Sequence, residues 1–328
     1  MLSREIVKIQ QFITQLNLNL EGFEVLTEVG SGLYNYMPII PLLAGAKKVM
    51  AWTRDSRHGT ASDIVENCRK AATALPNFSN IEFYDGHINE EHLTRADLIT
   101  NSGFLRPLNE SKLKFAKDST VVPLMFEVWE ARKEDVDLDY CNRRGIKVAG
   151  TNESHEDLNV FSQVGHLAAK MVFEAGYEIY GNKIAIWSDD DFGQVIEKTF
   201  RSLGADEVTV TTDFEKLVGL IPSLDFLFIS DYDEVRSYDG PSFFDLDRLR
   251  ELNRHLGILH LLGEIDSIAL KKKGFNIYPP EKGIGKYMSR TLSHLGINPF
   301  FSLMVGGFKV GENLLKGKTN DKLSQILT

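Results

Sequence analysis

The sequence predicts an α/β fold of two Rossmann-like, doubly wound domains with a cleft between them. Two observations carry that expectation. Strand-length apolar runs alternate with amphipathic helical patterns along the whole chain, the mark of α/β layering. A long helical pattern over 158–176, free of proline and closed by Gly176, divides the alternation into two series.

The first series begins with Ile6, Ile9, Phe12, Ile13 and Leu16 at helical spacing. A strand is predicted at 24–28, a helix at 36–44, a strand at 48–52 and a helix at 61–75. Short apolar runs at 81–84, 96–100 and 120–124 read as further strands, and a helix over 138–144 leads to a strand at 146–149. These elements make one domain of residues 1–156. The second series has strands at 183–187, 207–211, 225–229 and 257–261, with a helix at 195–203. Past Gly274 the strand signal fades, and helices are predicted at 284–295 and 301–315. No internal repeat is visible.

Composition narrows the function. The 328-residue chain is 43% hydrophobic and 25% charged, the make-up of a globular protein long enough for two cores. Its net charge of −9 offers no uniformly basic face to nucleic acid or anionic lipid. Cys68 and Cys141 lie in separate segments, and the histidines show no HxH or HxxxH spacing, so no metal site is expected. No apolar run approaches the roughly 18 residues of a membrane helix. The first residues mix both signs of charge in an amphipathic pattern rather than a signal peptide, which makes the expected location cytoplasmic.

The most informative stretch is the strand–loop–helix passage from Lys183. A dinucleotide-binding unit places GxGxxG there, for a tight turn, close approach of the pyrophosphate and close helix packing. The six positions read Ser188, Asp189, Asp190, Asp191, Phe192 and Gly193, so only the third glycine is present. Asp213 follows 20 residues after Gly193, where an acidic residue would meet a ribose hydroxyl. Ser188, Asp190, Gly193 and Asp213 are therefore the cofactor-binding candidates. Asp190 would set a carboxylate against the pyrophosphate, and Asp189–Asp191 also read simply as helix-capping residues.

A second glycine turn, Glu28-Val-Gly30-Ser-Gly32, follows the strand at 24–28 and is similar to the first motif of S-adenosylmethionine-dependent methyltransferases, with Asp55 as the ribose partner. Tyr34 stands in the place of that motif's third glycine, and a plain strand–helix turn explains the same residues. Ligands of open α/β sheets sit beyond the carboxyl ends of strands. That rule adds Arg54, Arg57 and His58, then Asn101, Ser102 and Arg106, then Glu127, Trp129 and Arg132, and finally Thr151, Asn152 and His155. Four arginines at such a rim suit a small anionic ligand, although each also reads as a solvated surface charge.

Scattered motifs from Ala96 to Gly317 resemble the D-isomer-specific 2-hydroxyacid dehydrogenases, the formate/glycerate dehydrogenase group. They are Glu134-Asp-Val-Asp-Leu with Arg144-Gly-Ile-Lys-Val-Ala-Gly-Thr-Asn, Val164-Gly-His-Leu-Ala-Ala-Lys-Met, and His294-Leu-Gly followed 18 residues on by Glu312-Asn-Leu-Leu-Lys-Gly. The resemblance implies a flavodoxin-like substrate domain of 1–156 completed by 294–328, a Rossmann-like nucleotide domain of 157–293, and a homodimer. It implies an oxidoreductase that uses NAD or NADP on a small anionic hydroxy or oxo compound. His294 would be the acid/base residue and Glu281 its nearest acidic candidate, while Gly30, Gly32, Arg54, Arg57, Ser102, Arg106, Glu127 and Asn152 would face the substrate. The sequence departs from the family where a catalytic arginine is expected, since the matching text, His260-Leu-Leu-Gly, has Leu261 and Leu262. The alternatives are a non-catalytic or differently catalytic relative that binds a small molecule or nucleotide, and methyl transfer from S-adenosylmethionine held at Gly30–Gly32.

Overall fold

The computed structural model describes residues 2–231, 245–263, 265, 267–280, 288–318 and 321–328. Twelve strands are present among them: β1 Glu24–Glu28, β2 Lys48–Thr53, β3 Ile81–Asp85, β4 Leu98–Ile99, β5 Val121–Pro123, β6 Lys147–Thr151, β7 Lys183–Trp187, β8 Glu207–Thr211, β9 Phe226–Ser230, β10 Gly257–Leu262, β11 Asn276–Tyr278 and β12 Ser324–Ile326. The chain divides into two compact units, one of Met1–Val160 with Ile297–Thr328 and one of Phe161–Gly296. Both are α/β.

The first unit has a seven-stranded sheet in the order β12-β6-β5-β4-β1-β2-β3. All its pairs are parallel except that of β12 with β6. Counted along the chain, the first six strands run 3-2-1-4-5-6, the order of dinucleotide-binding folds, and it reverses between β1 and β4. The second unit's sheet, β11-β10-β9-β7-β8, is wholly parallel and counts as 2-1-3-4-5, the flavodoxin order. Strand order thus assigns the flavodoxin-like and dinucleotide-like labels the other way round from the sequence expectation. Apolar text marks a strand but not its neighbour, so order is the part of topology a single sequence hides.

The second unit shows why its strands read as unbroken apolar runs. Ile184, Ile186, Phe226 and Phe228 enter one core, while the alternating Ala185, Trp187, Leu227 and Ile229 enter another on the opposite face. A parallel sheet buried on both sides has no polar face to alternate with. In the first unit one core gathers Leu26, Met50, Ile99, Val122 and Val148 from five strands.

The helix Ile297–Leu315 is buried along most of its length and lies on β5 and β6. Glycines let it come close: a Cβ at Gly307 would stand 2.3 Å from Met125 Sδ, and one at Gly311 2.2 Å from Leu98 Cδ1. The helix expected over 158–176 is shorter, Val164–Glu174, because Asn159 takes a left-handed backbone with φ 45° and the chain turns there. Short β11 and β12, three residues each, were not anticipated. Of the helix expected at 284–295, residues 284–287 lie outside the described residues and Leu292–Leu295 is helical. Among the described residues no helix is long and apolar enough to cross a membrane.

In the second unit, helices Val164–Glu174 and Asp191–Ser202 meet at Gly165, where a Cβ would stand 1.9 Å from Thr199 Oγ1 and 3.0 Å from the Val195 carbonyl oxygen. A larger side chain must push the helices apart. Gly165→Val is expected to cost about 1–3 kcal/mol, read as a lower urea midpoint with unchanged slope; an unchanged midpoint would show that the two helices do not meet there.

Candidate functional site

The reversal of strand order in the first unit makes a crevice. β1 and β4 pair only at Val25–Leu98 and Leu26–Ile99, and beyond that register they part. Thr100 Oγ1 still donates to Thr27 Oγ1 at 3.0 Å, closing the floor. Above it opens a cavity of about 480 Å³, with Glu28, Gly30 and Ser31 on the β1 side, Asn101, Ser102 and Arg106 on the β4 side, and Arg54 and His58 after β2. Tyr34, Phe104, Phe126, Met125 and Met304 supply its apolar wall. Such a switch point is where open α/β sheets hold ligands.

The polar groups fall into two sets. Arg106 is held in place: Nε donates to Asn101 Oδ1 at 2.9 Å, Nη1 to Asp135 Oδ2 at 3.1 Å and Nη2 to the Asn101 carbonyl at 3.1 Å. Its charge is already matched and it acts as a brace. Arg54 lies 5.5 Å over the Phe104 ring and has no carboxylate partner among the described residues, so its charge is available to a ligand. Asn101 is wholly buried, and its Nδ2 donor is unpaired among the described residues. Glu28 is buried, with Oε2 accepting from Phe104 N at 2.9 Å. Burial pushes the Glu28 carboxyl above the ordinary range, against the Phe104 and Gly103 N–H groups and the Arg106 charge.

The remaining candidates of this unit lie elsewhere. Arg57 is exposed, its Nε donating to His58 Nε2 at 3.0 Å, and does not line the cavity. Asn152 is structural: Nδ2 donates to the Lys322 carbonyl at 2.8 Å and Oδ1 accepts from Ser154 N at 3.0 Å. Asp55 Oδ1 accepts from Ala61 N at 2.7 Å, at the start of the helix Ala61–Ala72 that Thr60 caps, and Asp55 does not line the cavity. Glu127 accepts from Glu153 N at 2.8 Å and from Trp129 Nε1 at 2.9 Å. It sits with Glu130 and Glu153 in a carboxylate cluster at the ends of β5 and β6. Burial lifts Glu130 to about 7, helped by Glu127 and opposed by Arg132 and Arg106. Burial, with Glu130 and Glu127 nearby, lifts Glu153 well above its usual range. Among the described residues no cluster is arranged to hold a metal ion.

In the second unit the residues do not fit a dinucleotide at the expected loop. Asp190 Oδ1 accepts from Phe192 N at 2.9 Å, Gly193 N at 3.3 Å and Ser188 Oγ at 2.8 Å. The chain's own carboxylate therefore takes the helix-terminal amides that a pyrophosphate would need. Gly193 keeps its packing role, since a Cβ there would meet Ser188 at 2.6 Å. Asp213 Oδ1 caps the helix Phe214–Leu220, accepting from Glu215 N and Lys216 N at 3.0 and 3.1 Å. Leu261 and Leu262 are buried, and His260 beside them is buried and bonded to the Gly263 carbonyl at 2.6 Å, its imidazole pushed down to about 4.

His294 meets an acid that sequence reading missed. Its Nε2 lies 2.7 Å from Glu174 Oε2, which also accepts from the Tyr278 hydroxyl, while the His294 carbonyl accepts from Lys170 Nζ at 2.5 Å. Burial would raise Glu174, but the Tyr278 and His294 bonds outweigh it and hold it below the usual range. Glu281 lies outside the described residues. Glu174 is 120 residues from its partner, a pairing no local motif announces. Glu28, by contrast, carried a signal in the text: an acid ending an apolar strand, directly before a glycine turn.

No protein-family model matches the sequence, and no curated protein matches it. Among solved structures the chain is similar to a dipicolinate synthase polypeptide from Bacillus halodurans, at 12% identity over 92% of this chain and 100% of that one, with a TM-score of 0.54. It is also similar to the dipicolinate synthase of Bacillus subtilis, at 14% identity over 79% and 88% of the two chains, with a TM-score of 0.50. A third is the pyruvate reductase of Chlamydomonas reinhardtii, at 9% identity over 93% and 98%, with a TM-score of 0.50. These likenesses, all at low identity, show the fold: two Rossmann-like α/β units.

The carboxylate cluster makes stability depend on pH. Glu130 and Glu153 hold protons in the folded state that the unfolded chain has already released, so stability falls as pH rises through the raised values. The buried neutral His92 and His260 act in the opposite sense, but below the unfolded imidazole value of 6.5. Between about pH 5 and about pH 7 the wild type is expected to lose thermal stability relative to Glu130→Gln, the loss levelling off once the folded Glu130 itself ionises. Parallel pH profiles in the two proteins would show that the folded Glu130 carboxyl is not raised.

Proposed function

We propose that this chain is a divergent relative of the 2-hydroxyacid dehydrogenase type that binds a small anionic molecule in the first unit's β1–β4 crevice. The observation that carries the reading is Arg54, a guanidinium facing the cavity with no carboxylate partner among the described residues. Around it the crevice offers a buried unpaired amide on Asn101, the Ser31 side of a glycine turn and a carboxyl on Glu28 whose burial favours its protonated, hydrogen-donating form. A carboxylate or phosphate supplies the charge that this set lacks.

A second reading, NAD(P)-linked oxidoreduction, is favoured by one observation. The His294–Glu174 pair is an acid-oriented imidazole suited to proton exchange. Against it stands Asp190, whose carboxylate holds the amides a pyrophosphate requires. The first reading is therefore preferred.

Calorimetric titration with malonate and inorganic phosphate tests it. Arg54→Gln is expected to weaken binding about tenfold or more, the worth of a charged hydrogen bond, and Arg57→Gln to leave it unchanged. Equal affinity in wild type and Arg54→Gln would overturn the reading. Tight NADH binding with neither anion bound would put the second reading first.

A further inference from the structure

A second cavity, of about 300 Å³, adjoins the crevice across the glycine turn; Ser31 and His58 line both. Its other walls include Asn35, Tyr36, Asp63, Ile64 and Asn67. The turn between the two is kept low by its residues. Gly32 has φ +61°, and no atom lies within 4 Å of where its Cβ would be, so nothing rises from the chain at that point. Asn35 pins the turn from below, its amide donating to the Gly30 carbonyl.

The chemistry of the second cavity differs from that of the first. It contains no arginine or lysine. Asn67 is exposed, and its carboxamide makes no hydrogen bond among the described residues, leaving both a donor and an acceptor for a ligand. Asp63 Oδ2 accepts from Thr60 Oγ1 at 2.7 Å, and its other oxygen remains available as an acceptor. His58 Nε2 accepts from Arg57 Nε, which leaves Nδ1 as the protonated nitrogen of the neutral ring, a donor on the wall the two cavities share. A neutral group rich in hydroxyls matches these partners, and the Ile64 and Tyr36 side chains offer apolar surface beside them.

We propose that the two cavities form one bipartite site for a phosphorylated sugar, free or as part of a nucleotide, with the phosphate at Arg54 and the sugar beside Asn67 and Asp63. This rests on the reading of the crevice as an anion site. Together the cavities fall within the usual size range of small-ligand pockets.

Titration with inorganic phosphate, ribose 5-phosphate and AMP separates the two levels of the proposal. Both sugar phosphates are expected to bind at least about tenfold more tightly than phosphate, since two or three added hydrogen bonds at about 1 kcal/mol each suffice. Asn67→Leu is expected to remove most of that gain while leaving phosphate affinity unchanged, which also reports that the variant is folded. Arg54→Gln weakens all three. A further gain of AMP over ribose 5-phosphate identifies a nucleotide; equal affinity identifies the sugar phosphate. Phosphate binding that depends on Arg54, with no gain from the sugar or no effect of Asn67→Leu, overturns the bipartite site and leaves the anion site standing. Loss of Arg54 dependence for every probe overturns both.

Discussion

The parting of β1 and β4 is the constraint on which the rest depends. The two strands share only two register pairs, and from them the strand order runs outward in opposite directions. Backbone groups that would otherwise continue the ladder need other partners. Part of the answer is internal: Thr100 bonds to Thr27, and the buried Glu28 carboxyl accepts the Phe104 amide through Oε2. What is left is a crevice with a polar floor, an apolar wall and a guanidinium, that of Arg54, whose charge no carboxylate among the described residues neutralises. Glu28 and Arg106 belong to the architecture as much as to any chemistry, because they hold the β4 loop that forms one side of the crevice.

The two units treat their first strand–helix junction in opposite ways. In the second, Asp190 caps the helix and satisfies its amides internally, with Ser188 bonded to the same carboxylate oxygen. That arrangement stabilises the helix by roughly 1 kcal/mol, the usual worth of such a cap, at the expense of an anion site. In the first, the junction is a Gly-Ser-Gly turn leading into the short 3-10 helix Gly32–Tyr36, whose cap residue Ser31 makes no side-chain bond to it. The unit whose text looked nearest to a dinucleotide fingerprint is thus the one that closes it, and the unit with the dinucleotide strand order keeps an open turn.

Much of the fold was legible because buried parallel strands leave continuous apolar text. β1, β7 and β8 have the expected ends, each flanked by charged or turn-forming residues that mark where burial stops. β11, Asn276–Tyr278, and β12, Ser324–Ile326, escaped because polar residues leave no apolar run there, whereas β4 and β5, no longer than these, are apolar throughout. Leu158 and Val160, which precede the Val164–Glu174 helix, are both buried, but in a turn that the left-handed Asn159 makes possible rather than in the helix. At the site, Arg54, Ser102 and Arg106 were reached through the rule that ligands gather beyond strand ends. That rule does not tell a free guanidinium from a braced one, and only the partners of Arg106 do so. Glu174 and the cluster of Glu127, Glu130 and Glu153 depend on chain segments brought together by folding, which no spacing in the text records.

The most direct measurement is a crystal structure of the protein soaked with AMP. The account predicts electron density for the phosphate beside Arg54, at the carboxyl ends of β1 and β4, with the Asp190 cap undisturbed. Phosphate density on the Phe192 and Gly193 amides, with Asp190 turned away, would contradict it.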